Sequence, residues 1–328
     1  MKVCIYGVGA IGGFIGTRLA LAGRCQVSAV ARGATLAALQ QHGWRLRQAG
    51  ELLSAPVTAS DDPATLGVQD LVVVAVKGPA LPEVARRIAP LLGPHTLVLP
   101  AMNGVPWWFG AGAPALGDAP LLAVDPQGDI GQHIPLAQVV GCVVHASTFT
   151  EAPGLVGHKM GQGLIVGEPL GGLSERVQGL AALLQQAGFD ATASANVRQD
   201  IWYKLWGNMT MNPITAITGA TVDKVLDDPL ARSLCTAAMA EAAAVGARIG
   251  CAIAQSPDDR HQITRKLGAF KTSMLQDVEA GRAIELDALV TVVREIAQRV
   301  GQPTPFIDAL LGLARVHGQV RGLYPGPG

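Results

Sequence analysis

The apolar positions change their rhythm along this chain, and the change divides it in two. Lys2-Val-Cys-Ile-Tyr6 is a short apolar run of strand length that leads directly into Gly7-Val8-Gly9-Ala10-Ile11-Gly12. Residues 13–22 then read as a helix and 26–30 as a second strand. Asp70-Leu-Val-Val-Val-Ala-Val76 is β-branched through its middle, as in strands buried on both faces of a parallel sheet, and Lys77-Gly78-Pro79 ends it. A helix is predicted over 81–92 and a strand over 96–99, followed by Asn103-Gly104 and the bulky group Trp107-Trp108-Phe109. Residues 139–149 and 163–167 are strand-like around a glycine-rich connection, which predicts antiparallel members joining the sheet. A helix over 174–187 and a strand over 190–193 complete this part.

After Asn196 only the helical period remains. The alanine-rich stretch 226–249 suits close helix packing, and Leu286, Leu289, Val293, Ile296 and Val300 recur at helical spacing. These patterns predict an α/β protein. A doubly wound domain over 1–195 precedes an all-α domain over 196–328, with the chemistry expected in the cleft between them.

Composition narrows the class. The 328 residues are 49% hydrophobic and 15% charged, with 25 basic and 25 acidic side chains, so neither nucleic acid nor an anionic membrane is an expected partner. Residues 88–117 carry no Asp, Glu, Lys or Arg, but Pro90, Gly93, Pro94, Pro100, Gly104, Pro106, Gly110 and Gly112 interrupt them too often for a membrane helix. The first strand is expected to begin at residue two, and no secretory signal is expected before it. Five cysteines, with no CxxC spacing, fit a reduced cytoplasmic setting and suggest no metal site.

Strand, glycine turn and helix in that order are what a dinucleotide pyrophosphate needs. Gly7 allows the tight turn, Gly9 lets the backbone approach the phosphates, Gly12 lets helix and strand pack closely, and the helix N-terminus offers N–H groups to the anion. The first domain is therefore expected to be Rossmann-type. About 20 residues past the motif an NAD site carries an acid for the ribose hydroxyl. Here the chain reads Ala31-Arg32-Gly33, and a guanidinium there matches a 2′-phosphate, which points to NADP. An ordinary surface arginine is the alternative.

Carbonyl reduction needs a proton donor as well as a hydride. Lys204, Asn208 and Asn212 lie four apart in an otherwise apolar segment, so on a helix they form one polar stripe rising about 6 Å per step. A lysine partly withdrawn from water serves as an acid near neutral pH; a snorkelling surface lysine gives the same spacing.

Together these pieces resemble the ketopantoate reductase (2-dehydropantoate 2-reductase) family over nearly the whole chain. The matching residues are Gly7 to Gly12, Val76-Lys77, Asn103-Gly104, Trp202-Tyr-Lys-Leu205 with Asn208 and Asn212-Pro213, and Thr272-Ser-Met-Leu-Gln-Asp277 followed by Arg282 and Glu285-Leu-Asp287. The resemblance implies an NADPH-dependent 2-oxo acid reductase of pantothenate biosynthesis with ketopantoate as its small-molecule substrate, and a possible homodimer. It makes Lys204 the proton donor, with Asn103, Asn208, Asn212 and Ser273 holding the substrate's carboxylate and hydroxyl groups. Glu285 would sit beside the lysine and the cofactor; Lys77, Asn103 and Ser147 would approach the cofactor. An acid near a helix start, favouring the dipole, is the structural alternative for Glu285. Two departures bear on substrate choice. Residues 218–223 lack an asparagine often present there in the family, and Trp107, Trp108 and Phe109 make the loop after Asn103 bulky. A larger 2-oxo acid, a related dehydrogenase, or a cofactor-binding sensor without catalysis are the competing readings.

Overall fold

Strand β1 (Lys2–Tyr6) is fully buried beyond its first residue, and it is the centre of a five-stranded parallel sheet. The computed structural model describes residues 1–326. It forms two compact units, one of Met1–Trp108 with Gln127–Asp200 and the other of Phe109–Pro126 with Ile201–Gly328.

In the first unit, β1 is followed by α1 (Ala10–Leu21), β2 (Gln26–Val30), α2 (Gly33–His42), β3 (Trp44–Gln48), β4 (Glu51–Ala55), β5 (Thr58–Ser60), β6 (Leu71–Val74), α3 (Leu81–Arg87) and β7 (Leu97–Pro100). The strand order β5-β2-β1-β6-β7, every pair parallel, is that of a doubly wound dinucleotide-binding sheet. A short helix α4 (Ile130–His133) precedes β8 (Gly141–Ala152), β9 (Leu155–Gly167), α5 (Glu175–Gln186) and β10 (Asp190–Ser194). These strands correct one expectation: the antiparallel members do not extend the parallel sheet. They form a second sheet, β10-β9-β3-β4, with β8 antiparallel to β9.

Helix α1 runs between the two sheets and owes its position to small residues. A Cβ on Gly12 would lie 2.0 Å from the Gly7 carbonyl oxygen, one on Gly13 2.5 Å from Val156 of β9, and one on Gly16 2.5 Å from the Trp44 ring of β3. Side chains at these places would push helix and sheets apart.

Other boundaries move for local reasons. Helix α1 starts at Ala10, three residues before the predicted start, because Gly9 is its extended N-cap. The helix predicted over 81–92 ends at Arg87 and passes into a 3-10 turn, Ala89–Leu91, containing Pro90. The strand expected over 163–167 is only the end of the 13-residue β9.

Long helix α6 (Val197–Thr218) leads into the second unit, followed by α7 (Val222–Asp227), α8 (Pro229–Arg248), α9 (Pro257–Arg265), α10 (Ser273–Glu279), α11 (Val292–Arg299) and α12 (Pro305–Val320). The alanine-rich stretch 226–249 takes in the end of α7 and all of α8, which starts at Pro229 because Asp228 caps it by accepting from the Leu230 and Ala231 N–H groups. The helical pattern of 286–300 opens with a π-helical turn, Asp287–Thr291. Trp202 and Trp206 of α6 are buried, and their indole N–H groups donate to the Ala242 and Met239 carbonyls of α8 at 3.2 and 2.7 Å. Segment 119–123 is tied to α11: Glu295 accepts from the Leu122 and Ala123 N–H groups, and Arg299 donates to the Ala119 and Pro120 carbonyls. Among the described residues no helix is long and apolar enough to cross a membrane.

Candidate active site

The carboxyl ends of β1, β2 and β6 open onto a pocket of about 290 Å³ in the first unit. Its walls include Tyr6, Gly7, Val8 and Gly9 from the glycine turn, Ala31, Arg32 and Thr35 around the start of α2, and Ala75, Val76, Lys77 and Arg87 beyond β6. Ligands of doubly wound sheets bind at such strand ends.

The glycines show what the pocket is shaped for. Gly7 has φ +95°, which favours glycine, and a Cβ there would strike Val76 at 2.5 Å. Gly9 has an ordinary negative φ, and a Cβ on it would meet nothing within 4 Å. The fold therefore has no need of glycine at position 9, whereas a ligand approaching the backbone does. Gly9 is also the N-cap of α1 and offers no side-chain cap, so the first N–H groups of the helix remain available to an anion. The pocket thus fits a dinucleotide on the chemistry of its own walls.

Charge gathers at the outer wall. Arg32 pairs with Glu83 of α3 at 2.8 Å, Arg87 lies 3.8 Å from the same carboxylate, and Arg87 also donates to the Asp61 carbonyl at 3.0 Å. Burial pushes the Tyr6 hydroxyl pKa upward, and the charges of Arg87 and Arg32 oppose the shift.

Of the cofactor residues expected from sequence, Gly7, Val8, Gly9, Arg32 and Lys77 line this pocket. Ala10, Ile11 and Gly12 form the first turn of α1 behind it. Asn103 follows β7, and Ser147 lies on β8 opposite Met160 at a register irregularity; neither is part of the pocket wall. Thr35, Asp61 and Arg87 were not foreseen. The only sequence signal for Arg87 is its i,i+4 spacing from Glu83.

Of the substrate residues expected from sequence, Asn103 lies in the first unit and Lys204, Asn208, Asn212 and Ser273 lie in the second. Lys204, Asn208 and Asn212 occupy one face of α6, the first two half-buried and Asn212 only 5% exposed. One turn further along, the Thr215 hydroxyl meets that of Thr272 at 2.6 Å. Thr272 caps α10, accepting from the Leu275 N–H, so this bond pins the turn bearing Ser273 to the stripe's own helix. Asp277 and Arg282 close the chain between α10 and Glu285 through a 2.9 Å ion pair, a structural role for both. Glu285 is half-buried between buried Ile284 and Leu286, on a segment held by the C-terminal tail: the Ile284 N–H donates to the Leu323 carbonyl, and the Tyr324 hydroxyl donates to Asp287.

The bulky loop is accounted for by packing at two of its rings. Trp108 lies against Gly141 in the first unit, where a Cβ would come within 2.8 Å of its ring, and Phe109 stacks on Trp202 in the second at 5.9 Å between centroids. Both rings are buried.

Two family models match the chain: "Ketopantoate reductase PanE/ApbA" over residues 3–171 and "Ketopantoate reductase PanE/ApbA C terminal" over residues 196–318. A 2-dehydropantoate 2-reductase of Mesorhizobium japonicum is 46% identical over 326 residues, covering 99% of this chain and 100% of that protein. The crystal structure of a putative ketopantoate reductase from Ralstonia solanacearum MolK2 superimposes with a TM-score of 0.95 at 56% identity, covering 98% of this chain and 99% of the other. At 20% identity and a TM-score of 0.84, a D-mandelate dehydrogenase solved with NADH and anilino(oxo)acetate shares the fold over 98% of this chain and 100% of its own. Matched by the two models over residues 3–171 and 196–318 and by a relative 46% identical over 326 residues, the chain belongs to the ketopantoate reductase family.

Proposed function

We propose that this protein is an NADPH-dependent reductase of 2-oxo acids and that its substrate is ketopantoate, which it converts to pantoate. The observation that carries the reading is the stripe on α6, where an ammonium and two amides share one face and the Ser273 turn is pinned beside them. An anionic 2-oxo acid requires such a set: a cation and neutral donors for its carboxylate and oxygens.

In this reading Gly7 and Gly9 admit the pyrophosphate, Arg32 meets the 2′-phosphate, and Lys77, Asn103 and Ser147 complete the cofactor's surroundings. The bound reduced nicotinamide supplies the hydride that the C2 carbonyl carbon accepts. Negative charge then gathers on the carbonyl oxygen. Lys204 stabilises it and gives up a proton, leaving the hydroxyl of the product and a neutral amine that is reprotonated before the next turnover. Asn208, Asn212, Asn103 and Ser273 orient the acid, while Glu285 accepts from a substrate hydroxyl or restrains the ammonium. The 46% identical relative, named as a 2-dehydropantoate 2-reductase, supports the substrate.

A second reading, a bulkier 2-oxo acid, rests on residues 218–223. Thr218 and Thr221 there spend their hydroxyls on Ile214 and Asp223, and no asparagine is present to hold substrate.

Replacing Lys204 with alanine tests the mechanism. Turnover is expected to fall by about 10²- to 10⁴-fold with NADPH affinity unchanged. Full activity in Lys204→Ala removes the lysine from the proton transfer.

A further inference from the structure

Arg32 is not the only guanidinium at the outer wall of the cofactor pocket. Arg87 stands at the end of α3, lines the same pocket, donates to the Asp61 carbonyl at 3.0 Å and lies 3.8 Å from the Glu83 carboxylate. Glu83 touches both arginines, so two cations converge on one anion at a place where the pocket is open. Thr35, in the first turn of α2, adds a hydroxyl to the same wall.

We infer that Arg87 is a second determinant of cofactor choice, acting with Arg32 on a phosphomonoester dianion, and that the Glu83 carboxylate is the internal anion which that phosphate must displace. The inference rests on the NADP reading of the pocket and extends it. A dianion carries two charges and three acceptor oxygens, more than one guanidinium satisfies, and two forked donors match it better. A cofactor with a bare ribose hydroxyl cannot compete with Glu83 for either arginine. Discrimination therefore comes from the attraction of both guanidinia for the phosphate, less the cost of opening the Glu83 ion pairs, a cost that a bare ribose hydroxyl neither meets nor repays.

The test is equilibrium binding of NADPH, NADH and the fragment adenosine 2′,5′-bisphosphate to the whole protein carrying Arg87→Ala, Arg32→Ala or Glu83→Gln. In Arg87→Ala, affinity for NADPH and for the bisphosphate is expected to fall about tenfold or more while NADH is unchanged, the loss of a charge-assisted contact. Unchanged NADH binding also reports that the variant is folded. Glu83→Gln should bind NADPH more tightly; weaker binding overturns the displaced-anion role. If Arg87→Ala weakens NADPH and NADH equally, or weakens neither while Arg32→Ala weakens NADPH, Arg87 is no determinant and the NADP reading stands. If neither arginine affects NADPH, the NADP reading itself fails.

Discussion

Two glycines separated by three positions carry opposite burdens. Gly12 is required by the fold, since a Cβ there would lie 2.0 Å from the Gly7 carbonyl oxygen, whereas Gly9 faces open space with a φ any residue adopts. Gly12→Ala is therefore expected to destabilise the protein by about 3 kcal/mol or more, the cost of overpacking a rigid backbone contact. Gly9→Ala should leave the melting temperature in place and weaken dinucleotide binding, because the methyl group stands where the ligand comes closest. Thermal denaturation beside cofactor titration separates the two. Equal losses of stability in both variants contradict the assignment. This division was legible in the sequence only as a pattern: Gly-x-Gly-x-x-Gly announced the turn, but which glycine serves packing depends on how the turn folds the Gly7 carbonyl back onto Gly12, with Ala75 from far along the chain beside it. Arg87 was hidden for the same reason, since nothing near residue 87 says that it meets the wall built by residue 32.

At the scale of elements, strands with a continuous apolar run announced themselves and strands with mixed character did not. The parallel strands β1 and β6 were readable because burial on both faces leaves an unbroken apolar run, Val3 to Tyr6 and Leu71 to Val74. Trp44-Arg-Leu-Arg-Gln48 and Glu51-Leu-Leu-Ser-Ala55 mix charge with apolar residues, and the first half of β9, with His158, Lys159 and Gln162, is half-solvated. β3 and β4 form a hairpin, but the pairing that joins it to β9 spans more than a hundred residues, as in the Leu46 and Val156 pair, so local pattern carried little of how the second sheet is assembled. One ion pair stabilises the end of that sheet. Arg176 of α5 grips Glu168 with contacts at 2.7 and 2.5 Å and also donates to the Ala137 carbonyl. The Arg176 guanidinium, against the opposing effect of partial burial and with help from the Ser174 hydroxyl, holds the Glu168 carboxyl below its ordinary pKa of 4.5. A depressed folded-state pKa means the unfolded chain takes up the proton first. The stabilisation is therefore complete above about pH 4.5 and lost as pH falls through the depressed value. Glu168→Gln should cost about 1 kcal/mol at neutral pH and flatten the acid side of the stability curve. A variant with an unaltered acid limb contradicts that role.

Over the whole molecule, fold class and family were legible from motifs that span the chain, while the path of the chain between units was not. Trp108 and Phe109 are neighbours in sequence, yet one packs in the first unit and the other in the second, and the polar requirements of Glu295 and Arg299 hold segment 119–123 to the helical unit. No period in the sequence marks this excursion, because 3-10 turns rich in glycine and proline carry it. The lysine stripe was legible since helical spacing alone places Lys204, Asn208 and Asn212 together; its link to Ser273 was not, because it runs through the Thr215 and Thr272 hydroxyls. Arg299→Ala is expected to loosen segment 119–123, seen as faster amide exchange at Leu122 and Ala123 than elsewhere in the helical unit. Unchanged protection there argues that Glu295 holds the segment without its arginine.

The reductase account is tested most directly by steady-state oxidation of NADPH in the presence of ketopantoate, with NADH and a series of bulkier 2-oxo acids alongside. It predicts rapid oxidation that requires both NADPH and ketopantoate and slows when NADH replaces NADPH. Tight NADPH binding without oxidation by any 2-oxo acid contradicts it.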